Sequence, residues 1–217
     1  MVSQESIDAS RGIGVIWNHR KVNLEFLSMN NTWFSYRSQS LKSNLSCILV
    51  NVYSPISLSE KRKVWNEISN FLHYYQNEMI ILGGDFNTIL SLNEKVGGPS
   101  LLSQSSKEFK LWCELKDLID IPTNNGIYTW NNRWKDFAYI AEKLDRFLIK
   151  GDLDKNNLNI SSSILPIAGF DHFLVMLDLA EPHKPVRNSF KCEKMWFQDP
   201  KFLENIKLWW YQGSFEG

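Results

Sequence analysis

No sign of charge prevails in this chain: 24 lysines and arginines stand against 24 aspartates and glutamates in 217 residues. Without a basic excess there is no long-range electrostatic footprint. A nucleic-acid ligand would have to be held by a local patch, by metal and by a shaped groove. Cysteine is scarce too. Cys47, Cys113 and Cys192 lie far apart with no CxxC pair, and His19, His73, His172 and His183 show no zinc-ligand spacing. The thiols read as buried and reduced. No apolar run approaches the length of a membrane span, and Met1 to Arg11 is polar, without the apolar centre of a signal peptide. The expectation is a soluble, intracellular protein, nuclear or cytoplasmic, with no membrane partner. Internal repeats and low-complexity segments are missing as well.

What is there is an aromatic-rich core. The apolar share is 43%, with 9 Trp and 13 Phe, enough for one domain or one domain with an appendage. The chain is organised around Met79-Ile80-Ile81-Leu82-Gly83-Gly84-Asp85-Phe86-Asn87-Thr88. A short apolar run bounded by turn residues reads as a buried strand. Gly83 and Gly84 mark a tight bend or a close approach. Asp85 and Asn87 are two apart, so an extended backbone would send both side chains to one side. Such a pair can bind a cation or a phosphoryl oxygen, or it can be a plain turn.

Upstream, Gly12–Trp17, Val22–Phe26, Thr32–Tyr36 and Leu45–Tyr53 read as strands of an antiparallel meander, with Asn30-Asn31 as a hairpin turn and Pro55 as the stop. Ser57 and Glu60 form a capping box ahead of Val64, Trp65, Ile68, Phe71 and Leu72 at helical spacing. A long loop, 88–103, follows the central strand. Ser105 with Glu108 reads as a second capping box, with Phe109, Trp112, Leu115 and Ile119 facing inward. Ile127–Trp130, Lys143–Ile149 and Phe173–Leu179 read as further strands. This pattern predicts an α/β fold of two packed, mostly antiparallel sheets with helices outside. Pro182 and Pro185 mark a boundary, giving a domain over 1–181 and a linker with a helical appendage over 182–217. That last helix would open at Asp199-Pro200 and carry Phe202, Ile206, Trp209 and Trp210.

Polar residues gather at strand ends in four places: Asn51-Val-Tyr53-Ser-Pro55, Gly84-Asp85-Phe-Asn87, Leu144-Asp145-Arg146-Phe147 and Asp171-His172. Together they suggest phosphodiester hydrolysis. That reaction needs charge neutralised on phosphate oxygens, an activated water and help for the leaving oxygen. Mg²⁺ takes one or two carboxylates and keeps its waters, so scattered Asp and Asn suit it. A His beside a buried Asp is oriented and kept basic. Each segment also has a plainer reading. Asp145 could pair with Arg146 on an exposed strand, Tyr53 could be a core aromatic, and Trp130, Trp209 and Trp210 could simply pack. The Lys61-Arg62-Lys63 run reads as a solvated helix face.

With Tyr128-Thr129-Trp130 added, these ordered motifs resemble the endonuclease/exonuclease/phosphatase superfamily. Within it the chain looks most like the apurinic-type endonuclease domain of plant LINE-type (non-LTR) retrotransposons. Lys194-Met-Trp-Phe-Gln-Asp-Pro200 with Trp209-Trp210 resembles the segment after that domain. The resemblance implies a four-layer α/β/β/α sandwich. It implies that Asp85 acts on the nucleophilic water or the leaving-group proton, that Asn87 holds the phosphate and that Tyr53 donates to it. Asp145 would orient His172, which contacts the phosphate or assists the water. Asp171, with Asp85, would serve a Mg²⁺ or Mn²⁺ ion, and Tyr128 and Trp130 would lie toward DNA. The partners implied are a double-stranded DNA target and the reverse-transcriptase region of a full-length element. No Tyr-x-Asp-Asp motif occurs in this chain, so self-contained retrotransposition is excluded.

Two departures qualify the implication. The family begins with strands bearing an Asn and the principal metal-ligand Glu, and this chain opens after both, so the domain is expected to be truncated and its activity impaired. Gln4-Glu5-Ser6 imitates the Glu motif but lies only six residues ahead of Gly12, so Glu5 is read as the approach to that strand, not as the ligand. Phe170 stands where the family has Ser before Asp-His. Two other functions stay open: a catalytically dead remnant or binding module, and a phosphomonoesterase or RNA deadenylase of the same superfamily.

Overall fold

Alternating apolar residues and two amphipathic helices build the frame that carries these motifs. The computed structural model describes residues 2–3, 14–43, 45–151, 159–165 and 171–180, with 201–202, 204–205 and 207–208. The strands are β1 (Val2–Ser3), β2 (Gly14–Val15), β3 (Val22–Met29), β4 (Trp33–Ser40), β5 (Ser46–Tyr53), β6 (Ile80–Asp85), β7 (Lys95–Val96), β8 (Ile119–Asp120), β9 (Trp130–Asn131), β10 (Ala141–Glu142), β11 (Asp145–Lys150), β12 (Asn159–Leu165) and β13 (Leu174–Ala180). The helices are α1 (Leu58–Tyr74) and α2 (Gln104–Leu115).

Six strands form the main sheet in the order β3-β4-β5-β6-β11-β8. The meander β3-β4-β5 is antiparallel, as its sequence predicts. β5 and β6 run parallel, with α1 as the crossover, and β11 pairs antiparallel with β6 on its other side. β12 and β13 form a separate antiparallel pair, and β7, β10 and β9 a small third sheet. The architecture is therefore mixed α/β, with a six-stranded sheet, three smaller sheets and, among the described residues of the first unit, the α-helices α1 and α2.

Period-two alternation divides the main sheet cleanly. Ile48, Val50, Val52, Ile80, Leu82 and Leu148 face α1 and α2, where Trp65, Phe109 and Trp112 stack on one another at centroid distances of 5.8–6.1 Å. Cys47, Ile81 and Ile149 face the other way and pack with Ile160, Leu177 and Leu179 of the second sheet. By the same alternation Asp85 and Asp145 belong to this second face, at the end of their strands. Cys47 and Cys113 are buried free thiols.

Ser57 caps α1 as its sequence predicts, accepting from Glu60 N at 3.3 Å and donating to the Glu60 carboxylate at 2.8 Å. Other expectations need correction. The cap of α2 is Ser103, which accepts from Ser106 N, not Ser105. Glu108 instead holds Arg62. Phe109, Trp112 and Cys113 face inward, while Leu115, six residues after Phe109 and so turned off that stripe, is 69% exposed and Ile119 lies in β8, 48% exposed. Lys61 is not on a solvated face: it is 2% exposed, because positions 61, 64, 65, 68 and 72 share one stripe of α1. The strand expected over Ile127–Trp130 is limited to Trp130–Asn131. The segment β12 carries no apolar run and gave no strand signal, since Ser161, Ser162 and Ser163 occupy its centre.

The chain divides into two units, 1–181 and 182–217. The six described residues of the second unit are helical. Pro182, Pro185, Asp199, Pro200, Ile206, Trp209 and Trp210 lie outside the described residues, as do Cys192, His183 and the Lys194-to-Pro200 motif. No helix among the described residues is long and apolar enough to cross a membrane.

Candidate active site

β6 delivers Asp85 to the end of the sheet between two neighbours that share its row. Tyr53 is its parallel partner on β5 and Asp145 its antiparallel partner on β11, so all three side chains leave the same face. The glycines before it are there for space. A Cβ on Gly84, whose φ is +138°, would drive into the Val52 carbonyl, and one on Gly83 would strike the Phe147 ring opposite. Phe86 is fully buried against Phe109 and anchors the turn, its N–H donating to Leu144 O at 2.9 Å.

Asn87 then adopts a left-handed φ of 49°, a conformation Asn tolerates better than most residues. This curls it back over the carboxylate. Its backbone N–H donates to Asp85 Oδ1 at 2.8 Å, and its Nδ2 donates to Asp85 Oδ2 at 3.0 Å and to Ser54 O at 2.8 Å. Ser54 N–H in turn donates to Asp85 O at 2.8 Å. Asp85 and Asn87 therefore form one hydrogen-bonded unit, more than a plain turn requires.

On the other side, Asp145 and His172 are paired, with His172 Nδ1 2.9 Å from Asp145 Oδ2. Nε2 is then the ring nitrogen left to face a ligand. Thr129 is the buried hub of this half. Its Oγ1 accepts from Leu144 N and Asp145 N at 3.0 and 2.9 Å, and its carbonyl accepts from Phe173 N at 2.7 Å. Trp130 bridges to His172 through the backbone. Its Nε1 donates to Asp171 Oδ2 at 3.2 Å, so the indole is a prop for Asp171 as well as a half-buried surface. Tyr128 is half-buried just before this hub, and Tyr53 is half-buried against Phe34 and Tyr36. Gln4, Glu5 and Phe170 lie outside the described residues.

Electrostatics set the two halves apart. Burial, reinforced by the Asp145 charge, pushes the Asp85 carboxyl up to about 6, against the pull of Asn87 N–H, His172 and Lys61. The hydrogen bond that His172 donates to Asp145 holds its pKa above the ordinary value despite burial, and the Asp85 and Asp171 charges add to it. Asp171 lies below its ordinary value. Slight burial works against this, but the Trp130 indole and the nearby His172 and Arg133 favour its charged form.

Among the described residues no group of three or more His, Cys, Asp and Glu converges as a metal centre. A fully protein-caged ion does not fit. The Asp85–Asp145 pair does suit a cation that keeps most of its waters, since the Asp145 charge opposes the ionisation of Asp85. A cavity of about 430 Å³, lined by Tyr36, Leu49, Ile81 and Phe147, reaches Asp145 but not Asp85 or His172.

The structure thus brings Tyr53, Asp85, Asn87, Asp145 and His172 to one end of β5, β6 and β11, with Asp171 and Trp130 adjoining. Sequence reasoning overlooked Thr129 and Lys61, and it overlooked the β9–β10 hairpin, whose tip exposes Trp134 at 67% and Phe137 completely. Lys61 could have been found from its place on the apolar stripe of α1. The hairpin could have been found only from pairing across the small sheet.

No family model matches the chain, and no curated protein does. Solved structures do. A conserved protein of unknown function from Enterococcus faecalis superposes with a TM-score of 0.56 at 17% identity, over 83% of this chain and 76% of that one. The endonuclease domain of TRAS1, a telomere-specific non-LTR retrotransposon, gives a TM-score of 0.56 at 12% identity, over 75% and 69%. An endonuclease/exonuclease/phosphatase protein from Bacteroides vulgatus gives 0.50 at 13%, over 76% and 69%. The fold is that of endonuclease/exonuclease/phosphatase proteins.

Proposed function

We propose that this chain is a DNA endonuclease domain of the LINE-type retrotransposon class, hydrolysing phosphodiester bonds in double-stranded DNA with Mg²⁺ or Mn²⁺. The observation that carries the reading is the convergence of the Asp85–Asn87 unit and the Asp145–His172 pair on one end of the β6–β11 ladder, in a fold shared with a retrotransposon endonuclease domain. Ionised above about pH 6, Asp85 takes the proton of the attacking water. The new P–O bond forms as the P–O bond to the departing sugar oxygen breaks, and that oxygen takes up a proton from solvent as it leaves. Asn87 Nδ2 and the Tyr53 hydroxyl hold phosphate oxygens, and His172, oriented by Asp145, presents Nε2 to the developing charge.

Asp85 and Asp171 are the carboxylates assigned to the metal, with Asp145 beside Asp85 on the next strand. Bound there, the ion supplies charge neutralisation to the phosphate. The exposed aromatics Trp134 and Phe137, on a hairpin that starts at the strand touching His172, supply stacking surface that a chain of zero net charge needs in place of long-range attraction. The setting is intracellular, nuclear or cytoplasmic, with a reverse-transcriptase region as the functional companion.

The test is nicking of supercoiled plasmid. Wild-type protein should relax it in Mg²⁺ or Mn²⁺ and not in chelator, and Asp85→Ala and His172→Ala should not relax it. Folded wild-type protein that leaves the plasmid intact with either metal rejects the reading. A second reading, a DNA-binding module without catalysis, is favoured by the lack of a three-ligand metal centre among the described residues. It predicts plasmid retention in gel-shift experiments with no nicked product.

A further inference from the structure

Helix α1 carries an ammonium where its packing stripe calls for an apolar group. Lys61 shares a face with Val64, Trp65, Ile68 and Leu72 and is as buried as they are. Burying a charge is costly unless partners compensate for it, and among the described residues no carboxylate lies within ion-pair distance of this one. Its Nζ donates instead to two neutral oxygens, the carbonyl of Asn87 and Ser105 Oγ, the latter at 3.1 Å. Ser105 Oγ lies 3.3 Å from Thr88 Oγ1. One amine thus joins α1, the turn after β6 and the first turn of α2.

Docking α1 on the sheet does not need this arrangement, since a Leu or Met would pack the stripe without desolvating a charge. The turn does need it. Asn87 is left-handed, so its carbonyl leaves the line of the β6 ladder, and Lys61 is the donor provided for it. On its other side Asn87 is fixed through Nδ2 to Ser54 O and to Asp85. The residue is held from both ends, and only one of those holds comes from a helix.

We propose that Lys61 is a positioning residue for the candidate active site: by clamping the Asn87 carbonyl it fixes the Asn87 carboxamide and the Asp85 carboxylate toward a phosphodiester. This rests on the nuclease reading for its effect on rate, but not for the clamp itself. The ammonium also carries a positive charge that Asp85 feels. Burial brings its own pKa down to about 8 against the charges of Asp85 and Glu142, so it stays protonated in neutral solution.

The experiment has two arms, on full-length chain. In the first, backbone amide hydrogen exchange is measured in free wild-type, Lys61→Met, Lys61→Arg and Ser105→Ala proteins. Lys61→Met should speed exchange of the Asn87 N–H, which is bonded to Asp85, at least tenfold while leaving Leu82 unchanged. Lys61→Arg should keep most of the protection. In the second, plasmid nicking is measured for wild type, Lys61→Met, Asn87→Ala and the double variant. Lys61→Met should lower kcat at least tenfold with KM within twofold, and it should cost less than threefold once Asn87 is already Ala.

If both variants fold and the two losses multiply independently, or if Lys61→Met changes neither exchange nor kcat, the inference is overturned. Should Lys61→Met fail to fold, Ser105→Ala decides: faster Asn87 exchange supports the clamp, and unchanged exchange overturns it. A wild type that never nicks, while Lys61→Met frees the Asn87 amide, defeats the nuclease reading and leaves the clamp standing.

Discussion

Asp145 and Arg146 are neighbours on β11, yet they belong to opposite kinds of charged site. Arg146 faces the helices, and both its terminal nitrogens are bonded, while its buried Nε has no partner. It makes two bonds to Glu94 at 3.0 and 2.8 Å, reaches Asp120 at 3.4 Å, and donates to the carbonyls of Lys143 and Thr88. Lys143 adds an ion pair to Asp120 at 2.6 Å, and Phe109 covers the guanidinium at 5.7 Å. Asp145 faces the other way, beside a second buried carboxylate, with one His and a distant ammonium to offset both. The first cluster is close to neutral and tied down on every side. The second sets two carboxylates side by side, Asp85 with no cation at ion-pair distance among the described residues and Asp145 at the edge of a cavity. A cluster built only to hold the fold has no reason to leave charge uncompensated, and a site built to receive a cation or a phosphate does.

The contrast should break most visibly in function. Asp85→Ala or His172→Ala should lower plasmid nicking by roughly a hundredfold to ten-thousandfold, with a far-ultraviolet circular dichroism spectrum matching wild type. Arg146→Met should do the reverse. Leaving the half-buried Glu94 without its main partner, and Asp120 with Lys143 alone, should cost about 3–5 kcal/mol of stability, read from the midpoint of urea unfolding, whether or not DNA is present. A retained midpoint would mean that the network is dispensable.

pH sharpens the comparison, because the Asp85 and Glu94 carboxyls are shifted in opposite directions. Asp85 binds its proton more tightly folded than unfolded, about 6 against 3.8. Its ionisation therefore erodes stability as pH rises through that interval. Asp85→Asn should gain about 2 kcal/mol over wild type above pH 7, and the gain should vanish near pH 4. For Glu94 burial favours the proton, but the Arg146 guanidinium outweighs it and holds the carboxyl below its ordinary 4.5. Its stabilisation is present above that value and lost as pH falls below it. Glu94→Gln should thus be destabilised at pH 7 and converge with wild type in acid. Thermal midpoints of both pairs across pH 3.5–8 check the signs. The smallest effect belongs to the frame alone: Ser103→Ala removes the cap of α2 and should cost about 1 kcal/mol, with nicking unchanged within twofold.

Much of the site could be seen before any fold was known. Gly84-Asp85-Phe86-Asn87 announces a strand end with a special backbone, and the structure gives each letter a task. Gly84 avoids the Val52 carbonyl, Asp85 and Asn87 bond to one another, and Phe86 plugs the core. Ser57 and Glu60 likewise behave as their local spacing requires. What stayed hidden depended on distance along the chain. The partners of Arg146 lie 52 and 26 residues away in sequence, and nothing near Glu94 or Asp120 signals an ion network. Ser105 satisfied the capping pattern as well as Ser103 does, and only the demand of Lys61 for an acceptor shows which serine was free to cap.

By itself the sequence determined which groups could do chemistry, because Asp, Asn, His and Tyr at the ends of apolar strands are set by short-range pattern and by the intolerance of buried backbone for anything but Gly at one tight place. Tertiary structure decided what those groups are to one another. The parallel seating of β6 on β5 and its antiparallel seating on β11 put Tyr53, Asp85 and Asp145 in one row. That row, with His172 bonded to Asp145, brings four scattered motifs to one end of the sheet. The pairing comes from closing loops of tens of residues around a shared core, and no local run of residues encodes it.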